Sequence, residues 1–310
     1  MTQLGSEQNP FDNVDAAFEY IIALEQYRLA VDIGMQRYKE ASLMVDMRMH
    51  PVLSWCQPDT AFQAIDCPAD AFIVTKQASG MFQFKPNLAN RKFLYRGQTQ
   101  HYPICVPGLF RDPNQTYFLS EMILMHEMWR LIDSHPLVQL LGQHGVNLNG
   151  HTFKMFTNYG GISQHYFCRT RFLDLTSNVD AAKFFATCDY NKDSDSYTPH
   201  TENGIGVIYF YELVMPLAFQ KMPPGNIEPY YHLSTIGKQI FPRSGAQHGY
   251  LFDMSKGIDF EKIGYTSAVY FRHDPTVSKR IFAESKAGLK YMPPSILDRY
   301  WREKMASSKT

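Results

Sequence analysis

The sequence predicts an α+β protein, a helical N-terminal segment followed by a largely antiparallel set of strands with helices between them. Three observations carry this expectation. Apolar residues recur at helical spacing through Val14, Phe18, Ile21, Leu24, Val31, Met35, Tyr38 and Val45. The stretch Gln164 to Ala186, QHYFCRTRFLDLTSNVDAAKFFA, changes period midway. It reads extended up to Leu175, and helical once Thr176, Ser177 and Asn178 offer caps to a helix with Val179, Ala182, Phe185 and Ala186 on one side. Such a junction presents free N–H groups to an anion. Last, GVIYFYEL, Gly206 to Leu213, is the strongest strand signal in the chain. Neither GxGxxG nor GxxxxGK[ST] occurs, which disfavours Rossmann and P-loop folds.

Taken in order, residues 1–11 are polar, and one long amphipathic helix or two follow, broken at Pro51 and between Pro58 and Pro68. Ala71 to Phe84 holds two apolar runs around Ser79-Gly80 and reads as a hairpin. A soft boundary at Lys85-Pro86-Asn87 divides the chain into a helical segment, 1–85, and a second unit, 86–310. FLYRGQ, 93–98, is a short strand, and Pro103 to Pro113 a loop. Asn114 to Ser120 opens a helix with Leu119, Ile123, His126, Trp129 and Ile132 on one face and Glu121 in its first turn. Gly142 to Gly161 and Asp189 to Gly204 read as loops, and Pro216 to Tyr231 as irregular. Strands are expected at Tyr250 to Met254 and Ala268 to Phe271, with helices at Ser278 to Ala287 and Ser295 to Lys304.

At 310 residues the chain can bury a full core. Thirty basic and thirty acidic residues cancel, so no overall field draws it to nucleic acid or an anionic membrane. Five cysteines, odd in number and without a CxxC pair, argue against a zinc site or a disulfide scaffold. A cytoplasmic protein is expected, with neither a leader nor a membrane span.

Three pieces then stand out together: Tyr95-Arg96-Gly97-Gln98; Gln164-His165-Tyr166 continuing through Thr170 to Thr176, Ala182 and Phe185-Ala186; and Gln247-His248-Gly249. In order and spacing they resemble the FRG domain family, over residues 93 to about 255, and Arg111 and Glu121 resemble its pattern too. FRG domains are in turn similar to the ADP-ribosyltransferase superfamily. That resemblance implies a split sheet with NAD in its cleft as substrate. It gives Arg96 the role of dinucleotide-binding arginine on the first strand, and Asp174-Leu175-Thr176 with Ala182 and Phe185 that of the polar strand and following helix. Gln247 stands roughly where the superfamily carries an acid.

Cleaving the nicotinamide–ribose bond needs an anchor for the diphosphate, a grip on nicotinamide, and stabilisation of positive charge on the ribose. Arg96, beside Gly97 and Gln98, can fork onto a phosphate or the ribose, or else pair with Asp174. Asp174, in an apolar run, needs an arginine or backbone donors as partner, orients a ligand, or acts as acid or base. Thr176 caps a helix or touches ligand. Gln164, His165 and Gln247 offer amide and imidazole groups to a ribose hydroxyl or a carboxamide. Glutamine cannot act as a base, so Glu121 is the candidate carboxylate, unless it only complements its helix terminus. Tyr166 or Phe167 stacks on a ring or packs in the core. Arg171, one of two guanidiniums ahead of the strand, completes the candidate NAD-binding set.

The expected function is transfer of ADP-ribose from NAD to a protein or nucleic acid, in a bacterial or phage-linked toxin or antiviral effector with an antitoxin or other regulatory partner. A non-catalytic module for NAD or ADP-ribose, and an NAD glycohydrolase, are the alternatives.

Overall fold

The computed structural model describes residues 4–42, 72–76, 79–86, 91–112, 118–148, 150–166, 168–191, 194, 196–213, 231–254 and 256–307. The expected breaks between Pro51 and Pro68, the irregular stretch 216–230 and Phe167 lie outside those residues. Helix α1, Val14–Ser42, starts where the Asn13 side chain accepts a hydrogen bond from the Ala16 N–H at 3.0 Å. Val14, Ala17, Phe18 and Ile21 form its buried stripe. Glu25, one turn on and only 3% exposed, accepts from the N–H groups of Lys92 at 2.6 Å and Phe93 at 2.9 Å and from the Tyr95 hydroxyl at 2.8 Å. Hydrogen bonds to a charged group each contribute about 1.5–3 kcal/mol. This carboxylate pins α1 to the strand Phe93–Gln98, and the two share a core.

Strands β1, Phe72–Lys76, and β2, Phe82–Pro86, form the expected antiparallel hairpin, with Gly80 at a φ of 80° in its turn. The central sheet is built from β3, Phe93–Gln98; β6, Phe172–Thr176; β9, Ile205–Glu212; β10, Tyr231–Thr235; β11, Gly249–Met254; and β12, Thr266–Arg272. Its order is β10-β11-β6-β3-β9-β12, and every neighbouring pair is antiparallel. On one face Phe93, Tyr95, Ile208, Phe210, Val269 and Phe271 pack against α1 and against helix α4, Val179–Thr187. Leu94, Leu173, Leu175, Val207, Tyr209 and Phe252 form the core of the other face. A third cluster joins Met128 and Ile132 of α2, Phe118–Ser134, to Ile162 of α3, Tyr159–His165, and to Leu297 of the C-terminal helix.

Four local expectations change. The stretch 142–161 is not a loop, because β4, Val146–Leu148, and β5, His151–Phe153, pair across a turn in which Gly150 adopts a φ of 82°. The Asn149-Gly150 dipeptide is a hairpin signal in its own right. Residues 188–199 likewise form a hairpin, β7, Cys188–Asn191, with β8, Ser196–Pro199, whose turn is closed by the Asn191 side chain accepting from the Ser194 N–H at 3.1 Å. Helix α2 buries Met128 and Ile132 while Leu119 and Ile123 stand 71% and 52% exposed, so its inner face is rotated from the expected one. Gln164 and His165 end α3 rather than opening a strand, since Asn158 caps that helix by accepting from the Gly161 N–H at 2.9 Å. The two terminal helices appear as expected, as α5, Pro275–Glu284, and α6, Ile296–Ser307. Among the described residues no helix is long and apolar enough to cross a membrane.

Candidate functional site

The sheet is joined at its middle by one pair. β3 and β6 meet only at Tyr95 and Thr176, whereas β3 and β9 stay in register from Phe93 to Gln98. Past Tyr95 the ladder opens, and the Arg96 side chain reaches into the opening: its Nη1 donates to the backbone carbonyl of Asp174 at 3.0 Å. A guanidinium thus takes the carbonyl that a continued ladder would have given to β3. The Arg96–Asp174 relation is therefore side chain to backbone, not the carboxylate ion pair that the sequence also allowed.

The Asp174 carboxylate is held from the other side. Its Oδ2 accepts from Gln164 Nε2 at 2.9 Å, Gln164 Oε1 accepts from the Thr170 hydroxyl, and Thr170 Oγ1 accepts from the Phe172 N–H at 3.1 Å. This chain fastens the end of α3 to the start of β6. Beside the opening several buried polar atoms have no partner among the described residues: Arg96 Nε and Gln98 Oε1 on β3 and the hydroxyl of Tyr209, opposite Arg96 on β9, on one face of the sheet, and Asp174 Oδ1 on β6, which the register places on the other face. Burial pushes the Tyr209 phenol well above its ordinary pKa, so it stays a neutral hydrogen-bonding group.

Gly97 fills a packing role. A Cβ there would lie 2.1 Å from the Ala182 carbonyl oxygen, so α4 crosses β3 only because Gly97 has no side chain. Asn178 is the N-cap of α4, accepting from the Ala181 N–H at 3.2 Å. Thr176 supports the turn one step earlier: its hydroxyl accepts from the Asn178 N–H at 2.9 Å and donates to the Gln247 carbonyl at 2.5 Å. With both bonds made and 6% exposure, Thr176 is a brace between β6 and the one-turn helix Arg243–Ala246.

The remaining candidates divide by position. His165 is buried against Gly249, where a Cβ would lie 2.9 Å from His165 Nε2. The two Gln-His segments are thus neighbours, and burial, opposed by the Asp174 charge, holds the His165 imidazole below its ordinary pKa. Gln247 is buried too, its Nε2 donating to the Tyr291 carbonyl at 3.0 Å and to Met292 Sδ at 3.1 Å. Tyr166 packs in the core with the Arg243 guanidinium over its ring at 4.6 Å. Arg171 pairs with Asp253 at 2.7 Å, and Glu121 with Arg169 at 3.5 Å. Arg96 and Gln98 on one face of the sheet, and Asp174 with Gln164 on the other, therefore flank the opening, while Arg171, Glu121, Tyr166 and Gln247 are engaged elsewhere.

The sequence reading missed Tyr209 and Cys105 and left Arg111 without a role. Strand alternation from Arg96 across to GVIYFYEL was the available signal for Tyr209. Burial raises the Cys105 thiol pKa against the opposing charge of Arg96, while Cys168 is pushed up to about 12 by burial and the Glu121 charge. Neither is a ready nucleophile.

The FRG domain model matches residues 91–195. The match opens just ahead of β3 and ends in the β7–β8 turn, so it spans Arg96, Gly97, Gln164, Asp174 and α4 and stops short of Gln247-His248-Gly249. No curated protein and no solved structure matches the chain. The opening between β3 and β6, with Gly97 seated on α4 and Gln164 on Asp174, lies wholly within the matched segment, and residues 91–195 of this chain are an FRG domain.

Proposed function

We propose that the chain is an NAD-dependent ADP-ribosyltransferase acting on a macromolecule, with NAD held in the opening between β3 and β6. One observation supports this above the others: the ladder stops at Arg96, and buried polar atoms without partners surround the stop. An unsatisfied buried polar group costs about 1–3 kcal/mol, so several in one place suit a ligand that supplies their partners. The donor set matches a dinucleotide. Guanidinium N–H groups suit a diphosphate, and Gln98 Oε1 and Asp174 Oδ1 can accept from ribose hydroxyls or the nicotinamide amide. In the transfer, the bond from ribose C1′ to the nicotinamide nitrogen breaks and its electron pair leaves with nicotinamide. A bond forms from C1′ to the acceptor nucleophile, which gives up its proton. The Asp174 carboxylate is the group at the opening suited to the positive charge that builds on the ribose.

A second reading is a nucleotide-binding module without turnover. It is favoured by the commitment of Gln247 and Glu121 to bonds within the protein, which leaves no second carboxylate at the opening among the described residues. Incubating the full chain with NAD labelled in its adenylate half and with cell lysate separates the outcomes. Label on macromolecules that disappears in Arg96→Ala and falls at least tenfold in Arg96→Lys supports transfer. Saturable NAD binding without release of nicotinamide supports the binding module, and free ADP-ribose supports glycohydrolysis. Undiminished labelling by a folded Arg96→Ala protein would exclude the opening as the site.

A further inference from the structure

We infer that His273 and His200 form a proton-sensitive clasp on the end of β3, closed while His273 is neutral and opened in mild acid, when that ring takes up a proton and lets go of Thr99. The clasp does not depend on what the opening binds.

It is a chain of short contacts. Thr99 follows Gln98, the last residue of β3, and its carbonyl oxygen lies 2.6 Å from His273 Nε2. A carbonyl only accepts, so Nε2 carries the hydrogen, and the basic atom left on His273 is Nδ1. The His273 ring rests against that of His200, with centroids 4.0 Å apart and planes tilted by 40°. His200 Nδ1 in turn lies 2.6 Å from Asp189 Oδ2, and the His200 N–H donates to the Thr187 carbonyl at 2.8 Å. Thr187 ends α4, the helix seated on Gly97. Both sides of the clasp are thus fixed to β3, one through the Thr99 carbonyl and the other through α4.

The two rings are not equivalent. Asp189 gives a charged His200 its counter-ion, whereas among the described residues no carboxylate contacts His273. His273 Nδ1 is buried without a partner among the described residues, so a proton placed there is a donor with no acceptor, in a residue only 8% exposed. It also brings a second positive charge against the His200 ring. The other elements around His273 offer it no relief. The stretch before β9 presents the Gly204 carbonyl, which accepts from the His273 N–H at 3.1 Å, and β12 presents the Phe271 ring at 5.2 Å. Of the charged neighbours in sequence, Arg272 pairs with Asp12 at 3.7 Å, and Asp274 caps α5 by accepting from the Thr276 N–H at 2.8 Å. Burial, opposed by the Thr99 carbonyl and Asp189 and joined by His200, holds the His273 imidazole below its ordinary pKa. The closed clasp therefore refuses the proton that a free imidazole accepts near about pH 6.5, and the ring that takes it must leave Thr99 for water. The backbone bond to Gly204 lets the side chain swing while the end of β12 stays in place. Two residues past Thr99, His101 lies between Glu7 at 3.3 Å and Glu261 at 3.4 Å, so the loosening is confined to the few residues between Gln98 and His101.

Hydrogen exchange of the full chain at pH 7.5 and 5.5, expressed as protection factors to remove the intrinsic effect of pH, tests this. In the parent, the segment 98–102 should lose at least tenfold of its protection at pH 5.5 while the β9–β12 ladder keeps its own. His273→Gln, whose amide still donates to the Thr99 carbonyl but does not titrate, should protect the segment equally at both pH values. In His200→Gln, which removes the neighbouring charge, the loss should begin at higher pH than in the parent. Equal protection at the two pH values in the parent overturns the clasp, and so does a folded His273→Gln protein that loses protection as the parent does. A loss shared to the same degree by the β9–β12 ladder is unfolding of the whole sheet and overturns it too.

Discussion

Gly97 lies directly against Ala182: a Cβ on Gly97 would stand 2.1 Å from the Ala182 carbonyl oxygen and 2.7 Å from the Cβ of Ala186. The glycine after Arg96 and the alanines of α4, more than eighty residues apart in the chain, are thus two sides of one contact. Because the nearest atom belongs to a helix backbone, Gly97→Ala cannot be relieved by a rotamer change, and α4 must shift from β3. Overpacking of this kind costs about 1–3 kcal/mol. The urea midpoint of Gly97→Ala should fall accordingly, and a midpoint equal to the parent's would mean that the helix moves freely.

Asp174 offers a different test. Asparagine at 174 can still accept from Gln164 Nε2, so the tie between α3 and β6 survives while the negative charge beside Arg96 and Arg111 is lost. Asp174→Asn should lower NAD turnover more than tenfold while moving the melting temperature by only a few degrees, the shift that about 1 kcal/mol produces in a chain of this size. A large melting shift with retained specific activity would assign Asp174 to the fold alone.

Stability should also fall in mild acid. Burial, the largest cause, holds both His165 and His273 below the ordinary histidine pKa; the Thr99 carbonyl opposes it at His273 and the nearby His200 adds to it. Unfolded histidine takes up a proton near about pH 6.5. Below that pH the unfolded state binds more protons than the folded state, so stability decreases as pH drops. Melting temperatures should decline between about pH 7 and 5.5, the window set by the unfolded histidine pKa. The decline should be shallower in His273→Gln, whose amide can still donate to the Thr99 carbonyl, bonded at 2.6 Å by His273 Nε2. An identical slope in parent and variant would remove His273 from the cause.

Much of the fold was legible because its signals are local. The period of α1, the Ser79-Gly80 hairpin, FLYRGQ, FLDLT and GVIYFYEL appear where the sequence places them. The hairpins at 146–153 and 188–199 were read as loops because their strands are three or four residues long and polar, too short for alternation to show. At the opening, residue types were legible and their pairings were not. Nothing local in the sequence says that Arg96 bonds a β6 carbonyl, that Arg171 is taken by Asp253, or that Glu25 ties α1 to β3. Those are consequences of register, which the sheet as a whole decides.

Gln247 is where sequence and structure give opposite expectations. Read from the resemblance, Gln247→Glu would restore an acid and keep or raise NAD cleavage. In the fold, the Gln247 amide is a donor, with the Tyr291 carbonyl at 3.0 Å and Met292 Sδ at 3.1 Å as its acceptors, and the residue is 6% exposed. A glutamate there turns the donor into an oxygen facing an oxygen, in a place where water cannot repair the loss. The expected cost is about 3 kcal/mol or more near neutral pH, since a buried charge adds to the lost bond. The sign with pH follows. Such a carboxylate has a folded-state pKa raised above the unfolded value of about 4.3, so the folded state holds its proton longer and the variant's deficit grows as pH rises through that interval. Gln247→Ala should lose less and show no such dependence. Paired urea titrations of parent, Gln247→Glu and Gln247→Ala across this range measure both effects, and NAD cleavage per folded molecule should not rise in the glutamate variant. A Gln247→Glu protein as stable as the parent and faster on NAD would mean that this side chain turns toward the substrate, and the tie between Gln247 and the C-terminal segment at Tyr291 and Met292 would have to be redrawn.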